Sequence, residues 1–154
     1  MSNDKTQEPQ THRQLAVDLF NRTWALLDKP VRSDEDKAEM LTVAFASRYH
    51  WRQIGDAENF SVSDWQISRV AAVLGYPELA EEYGRRSLHV ASLAGLAPFY
   101  VGYAHEALAR AARLAGNRDD VAEHLEAGLE RLSQVEDAAE RDLLSADLKE
   151  IAGA

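Results

Sequence analysis

The chain has 154 residues, of which 45% are apolar and 28% are charged, and its net charge at neutral pH is −9. This length and composition predict one soluble globular domain, and the absence of cysteine excludes disulfides, thiolate metal sites and cysteine nucleophiles. The acidic balance disfavours a nucleic-acid partner, because a phosphate backbone would be repelled on average.

The N-terminal segment MSNDKTQEPQ is polar and mixed in charge, so it lacks the apolar run of a signal peptide. No stretch of the chain is apolar enough to span a membrane. The sequence therefore predicts a cytoplasmic protein without a membrane partner. Residues 1–10 are expected to form a disordered tail, and residues 11–154 are expected to form a single helical domain.

Apolar residues recur with helical period along almost the whole chain, which predicts an all-α fold of about seven helices. Thr11 and Gln14 are spaced as a capping box before the first helix, and Pro30 marks its exit. The acidic segment SDED begins the second helix, which is expected to run to about Ile54.

The segment GDAENF is predicted to be a loop. Ser63 and Gln66 then form a second capping-box pattern, and a short third helix is expected to end at Leu74.

Each of the last four helices has a recognisable start signal in the sequence. Pro77 and Pro98 suit the first turn of the fourth and fifth helices, because proline lacks only an N–H that is unpaired there anyway. Asn117 is the expected cap of the sixth helix, and Asp137 followed by Glu140 is the expected cap of the seventh.

Connections between the predicted helices are short, so neighbouring helices should pack antiparallel. The expected organisation is three helix pairs at residues 11–55, 61–95 and 98–134, followed by a capping helix at residues 137–152.

Two parts of the chain align at an offset of 41 residues, which places Gly75 on Gly116 and Arg69 on Arg110. The aligned segments are RVAAVLGYPELAEEYGRRSL and ARAARLAGNRDDVAEHLEAGL. Each has a helix that ends at a small residue near glycine, then a tight turn and a second helix that ends in leucine.

These segments resemble tetratricopeptide repeats (TPRs). The resemblance covers roughly residues 62–132 and implies antiparallel hairpins stacked as a right-handed superhelix, with a concave surface that binds a peptide. The chain departs from the family because its offset exceeds the usual period of about 34 residues, and residues 11–55 do not show the pattern. The stretch from Ser47 to Gly75 also resembles small bacterial proteins of this helical build, which contribute no function.

In a TPR-like stack, the first helix of each pair lines the concave surface. An aromatic pair beside three arginines on that surface would suit an acidic peptide or another anionic ligand. In the other interpretation, the arginines pair with acidic residues of adjacent helices and the tryptophan covers the edge of the core. The predicted groove consists of Trp65, Arg69, Tyr103, Glu106, Arg110 and Arg113.

A second hypothesis places a small-molecule pocket, for an anionic ligand or a substrate, among the polar and aromatic residues between positions 48 and 69. This alternative pocket consists of Arg48, His50, Trp51, Trp65 and Arg69. A third hypothesis is a structural subunit that pairs with a second copy as a homodimer, because a stack of few repeats gains from further neighbours.

Catalytic and metal-binding motifs are absent from the sequence, so neither an enzyme nor a metal or other cofactor is predicted. The segment HEALA lacks the second histidine of the zinc motif His-Glu-x-x-His, and there is no Gly-x-Ser-x-Gly elbow. His50 and His105 lie on mostly apolar helix faces, where a buried, hydrogen-bonded structural role is expected, with Ser47 as a partner for His50. The leading functional prediction is a non-catalytic helical-repeat module that binds a protein or peptide.

Overall fold

The computed structural model describes residues 10–153, and these form seven α-helices with no strand among them. The helices are α1 (His12–Leu27), α2 (Asp34–Ile54), α3 (Ala57–Leu74), α4 (Pro77–Leu93), α5 (Pro98–Ala115), α6 (Arg118–Leu132) and α7 (Ala138–Ala152). The helices pack in consecutive pairs as hairpins, with α7 placed against α5 and α6. The prediction of an all-α chain built from stacked helical hairpins is confirmed. None of the described helices combines the length and the apolar character needed to cross a bilayer.

The helix starts follow the local capping chemistry. Thr11 and Gln14 form the predicted capping box of α1, and Asn117 and Asp137 cap α6 and α7 through their side chains. The predicted disordered tail falls almost wholly on residues 1–9, which lie outside the described part of the chain.

The third helix begins earlier than predicted, so the expectation of a loop at GDAENF was wrong. Asp56 is the N-cap of α3 and forms a capping box with Asn59, which places Phe60 inside the helix. Ser63 instead donates a hydrogen bond to the Phe60 carbonyl at 3.1 Å. The amide of Gln66 reaches across to the Phe20 carbonyl of α1 at 3.1 Å, so it links two helices and caps neither.

The 41-residue offset has a structural counterpart at the helix ends. Gly75 and Gly116 follow α3 and α5 in the left-handed conformation, with φ of 85° and 76°. This conformation favours glycine and allows a tight turn into the next helix. The aligned glycines therefore end the first helix of two successive hairpins.

Small residues let the hairpins pack closely. On α4, a Cβ added to Gly84 would lie 3.0 Å from Leu108 Cδ2 of α5. On α5, a Cβ at Gly102 would lie 2.6 Å from Leu144 Cδ2, and one at Gly128 of α6 would lie 2.9 Å from Leu148 Cδ2. The last two contacts show that α7 rests directly on the backbones of α5 and α6.

Helix α7 contributes buried side chains to the hydrophobic core. Leu144 and Leu148 are 0% and 1% exposed and cluster with Val135 against Phe99 and Tyr103 of α5. A capping helix was predicted, and its burial on α5 places it on the same side of the stack as the first helices.

Candidate functional site

The first helices of the three hairpins and α7 share one face of the molecule. α3 contacts α5 directly, and α5 contacts α7. Trp24 of α1 lies against Trp65 of α3, with a distance of 5.7 Å between ring centroids and an angle of 36° between the ring planes. Side chains from α1, α3, α5 and α7 can therefore line a common cleft.

An aromatic cleft of about 250 Å³ lies on this face. Its walls are held by edge-to-face contacts: Tyr103 lies 5.3 Å from Trp65 and 5.0 Å from Phe99, measured between ring centroids. Such contacts add to the energy of burial and fix the ring orientations. The cleft is lined by Trp24, Ser61, Val62, Trp65, Ser87, Phe99, Tyr100, Tyr103, Leu143 and Asp147.

The two serines of the aromatic cleft are satisfied by each other. Ser61 Oγ donates to the Ser87 carbonyl at 3.1 Å, and Ser87 Oγ donates to the Ser61 carbonyl at 2.9 Å. Both residues are buried. These serines therefore leave the apolar character of the cleft intact.

A second cleft of about 220 Å³ adjoins the first and shares Val62 and Tyr100 with it. Its remaining lining residues are Phe20, Trp51, Glu58 and Asn59. The two clefts together form a groove that extends toward the N-terminal end of α3.

Two of the predicted groove residues, Trp65 and Tyr103, line the aromatic cleft. Trp65 is 9% exposed, and its Nε1 donates to Glu106 Oε2 at 2.9 Å. The Tyr103 hydroxyl donates to Asp147 Oδ2 of α7 at 2.8 Å. Burial and this carboxylate raise the pKa of Tyr103 well above its usual range, so it is a neutral donor.

The other predicted groove residues form an ion-pair cluster beside the cleft. Glu106 is fully buried, and its Oε1 accepts hydrogen bonds from Arg110 Nε at 2.9 Å and Arg110 Nη2 at 2.6 Å. Arg69 Nη1 lies 3.6 Å from the same oxygen, and Arg110 Nη1 lies 3.5 Å from Glu150 Oε1 of α7. Both arginines therefore face carboxylates of the same chain.

Arg113 holds the end of α7. Its Nη1 donates to the carbonyl of Ile151 at 3.2 Å and to that of Glu150 at 3.4 Å. Carbonyls in the last turn of a helix lack partners within the helix, so a guanidinium there satisfies them and complements the helix dipole. The predicted set thus meets on one face, but its three arginines contact acidic groups and α7.

The alternative pocket is not assembled as one site. Arg48 Nε lies 2.5 Å from Oδ1 of the buried Asp64, and His50 contacts His12. Trp51 lies under the guanidinium of Arg13 and lines the second cleft. Trp65 and Arg69, the remaining members, contact Glu106, so the five residues take part in separate interactions.

Two histidine pairs join the helices of a hairpin. His12 Nδ1 lies 2.8 Å from His50 Nδ1, and His105 Nδ1 lies 3.2 Å from His124 Nδ1. Ser47 was expected to be the hydrogen-bond partner of His50, but its Oγ donates to the Ala16 carbonyl at 2.8 Å instead. Neither His50 nor His105 is fully buried. No group of three or more potential metal ligands occurs within residues 10–153.

The His105–His124 pair predicts a loss of stability in acid. Burial, with added repulsion from His124 and Arg131, lowers the pKa of His105 to about 4 from an ordinary value of 6.5. Because the unfolded chain takes up a proton that the folded ring resists, stability is full above about pH 6.5 and falls as the pH drops toward 4. The contribution is on the order of 1–2 kcal/mol, less than the full shift implies, because the ring is partly exposed and screened.

Urea titrations at pH 7.5 and pH 5 test this expectation. The His105→Gln variant should lose less stability between the two pH values than the wild type, and the matched variant of the exposed His89, His89→Gln, should behave like the wild type. Equal acid sensitivity of all three proteins would contradict the assignment.

Sequence reasoning missed several residues of the aromatic cleft. Trp24 is half-buried and forms one wall of the cleft. Phe99 and Tyr100 follow Pro98 in the first turn of α5, and Leu143 is 60% exposed on α7. An aromatic pair beside a helix start and an exposed leucine were signals in the sequence that could have pointed to this cleft.

Comparisons with protein-family models, with curated proteins and with solved structures found no match for this chain.

Proposed function

We propose that this protein is a TPR-like interaction module that binds an apolar side chain of a partner peptide or protein in the aromatic cleft. The single observation that supports this most strongly is the cleft itself, which α1, α3 and α5 line with aromatic rings and α7 lines with Leu143 and Asp147. In this proposal the protein binds its partner without catalysing a reaction.

The composition of the cleft favours protein recognition. Aromatic side chains supply a large, rigid contact area at low entropic cost and are enriched at the energetic centres of protein interfaces. Leu143 leaves 60% of its surface exposed at the cleft on α7. An open apolar surface rimmed by polar residues is typical of an interaction site on a soluble protein.

The contacts of the arginines favour an apolar anchor over the acidic ligand expected from the sequence. Glu106 already accepts hydrogen bonds from Arg110 and lies beside Arg69, and Arg113 binds the last carbonyls of α7. An acidic peptide would have to displace these contacts. The proposal therefore keeps the concave groove and changes the chemistry of its occupant.

Filling the cleft from its edge tests the proposal. In Leu143→Trp, a larger side chain replaces an exposed residue that lines the cleft, so binding should weaken at least about ten-fold without loss of stability. Leu129→Trp is the matched control, because Leu129 is 52% exposed on α6 and lies outside the two clefts.

Peptides for this measurement can be selected from a displayed random-peptide library on the wild-type protein. Their affinities for the wild type and both variants are then measured by fluorescence anisotropy. Selected peptides that bind Leu143→Trp as tightly as the wild type would overturn the proposed function.

A further inference from the structure

The charged residues that line the groove formed by the two clefts are acidic. Among the described residues that line the two clefts, the charged ones are Asp147 and Glu58. Asp147 Oδ2 accepts from Tyr103, while Glu58 is exposed near the start of α3. The clefts therefore combine apolar walls with negative charge.

Tyr100 connects the two clefts, because it lines both of them. Burial and, to a smaller extent, the negative charges of Glu58, Glu140 and Asp56 raise the pKa of its hydroxyl to about 12. The negative charge near Tyr100 therefore comes from Asp56 and Glu58 at the N-terminal end of α3 and from Glu140 in the first turn of α7.

Several arginines near the two clefts make other contacts, including Arg52, which lies over the Phe60 ring at 4.6 Å from its centroid. Arg13 lies over the Trp51 ring, 5.5 Å from its centroid, at the α2 wall of the second cleft. Arg69 and Arg110 face Glu106 in the ion-pair cluster. Among the described residues, none of the carboxylates of Asp56, Glu58 and Glu140 forms an ion pair.

We infer that the partner segment carries a lysine or arginine next to its apolar anchor, and that this cation lies against Glu58 and Tyr100 while the anchor fills the aromatic cleft. The inference rests on the proposed function, since it names the occupant of the same groove. Opposite charge at the edge of an interface steers association and fixes the register of the peptide. A guanidinium can also stack on an aromatic ring while it donates to a carboxylate, which suits the placement of Tyr100 beside Glu58.

The peptide selection described above also tests this inference. Peptides whose binding depends on Leu143 should be enriched in a basic residue close to an aromatic or aliphatic one. Their affinity should fall by about ten-fold in Glu58→Lys and should weaken as salt is added, because an exposed charge contact is screened. Glu126→Lys is the matched control, since Glu126 is exposed on α6 and is absent from the lining of both clefts.

The possible results separate the two proposals. If the selected peptides depend on Leu143 but lack basic residues, or bind Glu58→Lys as tightly as the wild type, the basic partner is excluded while the proposed function stands. Peptides rich in acidic residues would have the same meaning. If no selected peptide is sensitive to Leu143→Trp, both proposals fail. Urea melts of all variants establish that each is folded before its affinity is compared.

Discussion

Replacing Glu106 with glutamine is expected to lower the free energy of unfolding by about 3 kcal/mol. The substitution keeps the size of the side chain but removes the negative charge that faces Arg69 and Arg110. Those arginines are only 18% and 16% exposed, so neither guanidinium can be fully solvated without rearrangement. Breaking one member of a buried ion cluster leaves uncompensated charge behind, which costs more than the intact cluster contributes.

Two comparison variants separate the parts of this effect. Glu150→Gln removes a carboxylate that is 62% exposed and lies 3.5 Å from Arg110, so it should cost less than about 1 kcal/mol. Trp65→Phe removes the indole N–H that donates to Glu106 at 2.9 Å while keeping most of the apolar surface. All variants can be compared by urea denaturation followed by circular dichroism. Equal stabilities for Glu106→Gln and Glu150→Gln would show that the cluster is not the structural centre described above.

The 41-residue repeat offset was more informative about the ion-pair cluster around Glu106 than the individual residue types were. Trp65 and Glu106 stand 41 positions apart, the same offset that aligns Arg69 with Arg110. Equivalent positions of adjacent hairpins lie close together across α3 and α5, where Trp65 and Arg69 both contact Glu106. A repeat pattern identifies which positions share a surface, because that depends on helical period and on stacking alone.

The same pattern could not predict what covers that surface. The seventh helix was expected to cap the stack, but its register depends on how Leu144 fits over Gly102 of α5 and how Leu148 fits over Gly128 of α6. That fit brings Asp147 to Tyr103. The interpretation in which the arginines pair with acidic residues of the same chain agrees with these contacts.

Local capping signals were also ambiguous where two of them lay close together. Asp56 with Asn59 and Ser63 with Gln66 both have capping-box spacing, and the earlier pair begins α3. Extending a helix is easier than starting one, so a helix begun at Ala57 continues through Ser63. The histidine pairs were missed for another reason: contacts between the two helices of a hairpin depend on their register, which the loop geometry sets.

Helix α7 is expected to be anchored by its apolar face, and Leu144→Ala is the sharpest test of this. Leu144 is 0% exposed and packs in a cluster with Val135 and Leu148, and its Cδ2 lies over the Gly102 backbone. Truncation to alanine removes buried methyl groups and leaves a cavity, so the expected loss of unfolding free energy is about 2–5 kcal/mol. The adjacent variant Leu143→Ala changes a side chain that is 60% exposed, and it should alter stability by less than about 0.5 kcal/mol.

The two variants also report on the cleft, because α7 supplies one of its walls through Leu143 and Asp147. If α7 is fixed by its buried face, Leu144→Ala should increase hydrogen exchange of α7 amides and weaken binding of the selected peptides, while Leu143→Ala should change binding alone. Unchanged amide exchange in Leu144→Ala would mean that the polar contacts of Asp147, Glu150 and the α7 carbonyls hold the helix. The α7 wall of the cleft would then depend on ion pairing, and added salt would weaken peptide binding through contacts within the protein as well as through contacts with the peptide.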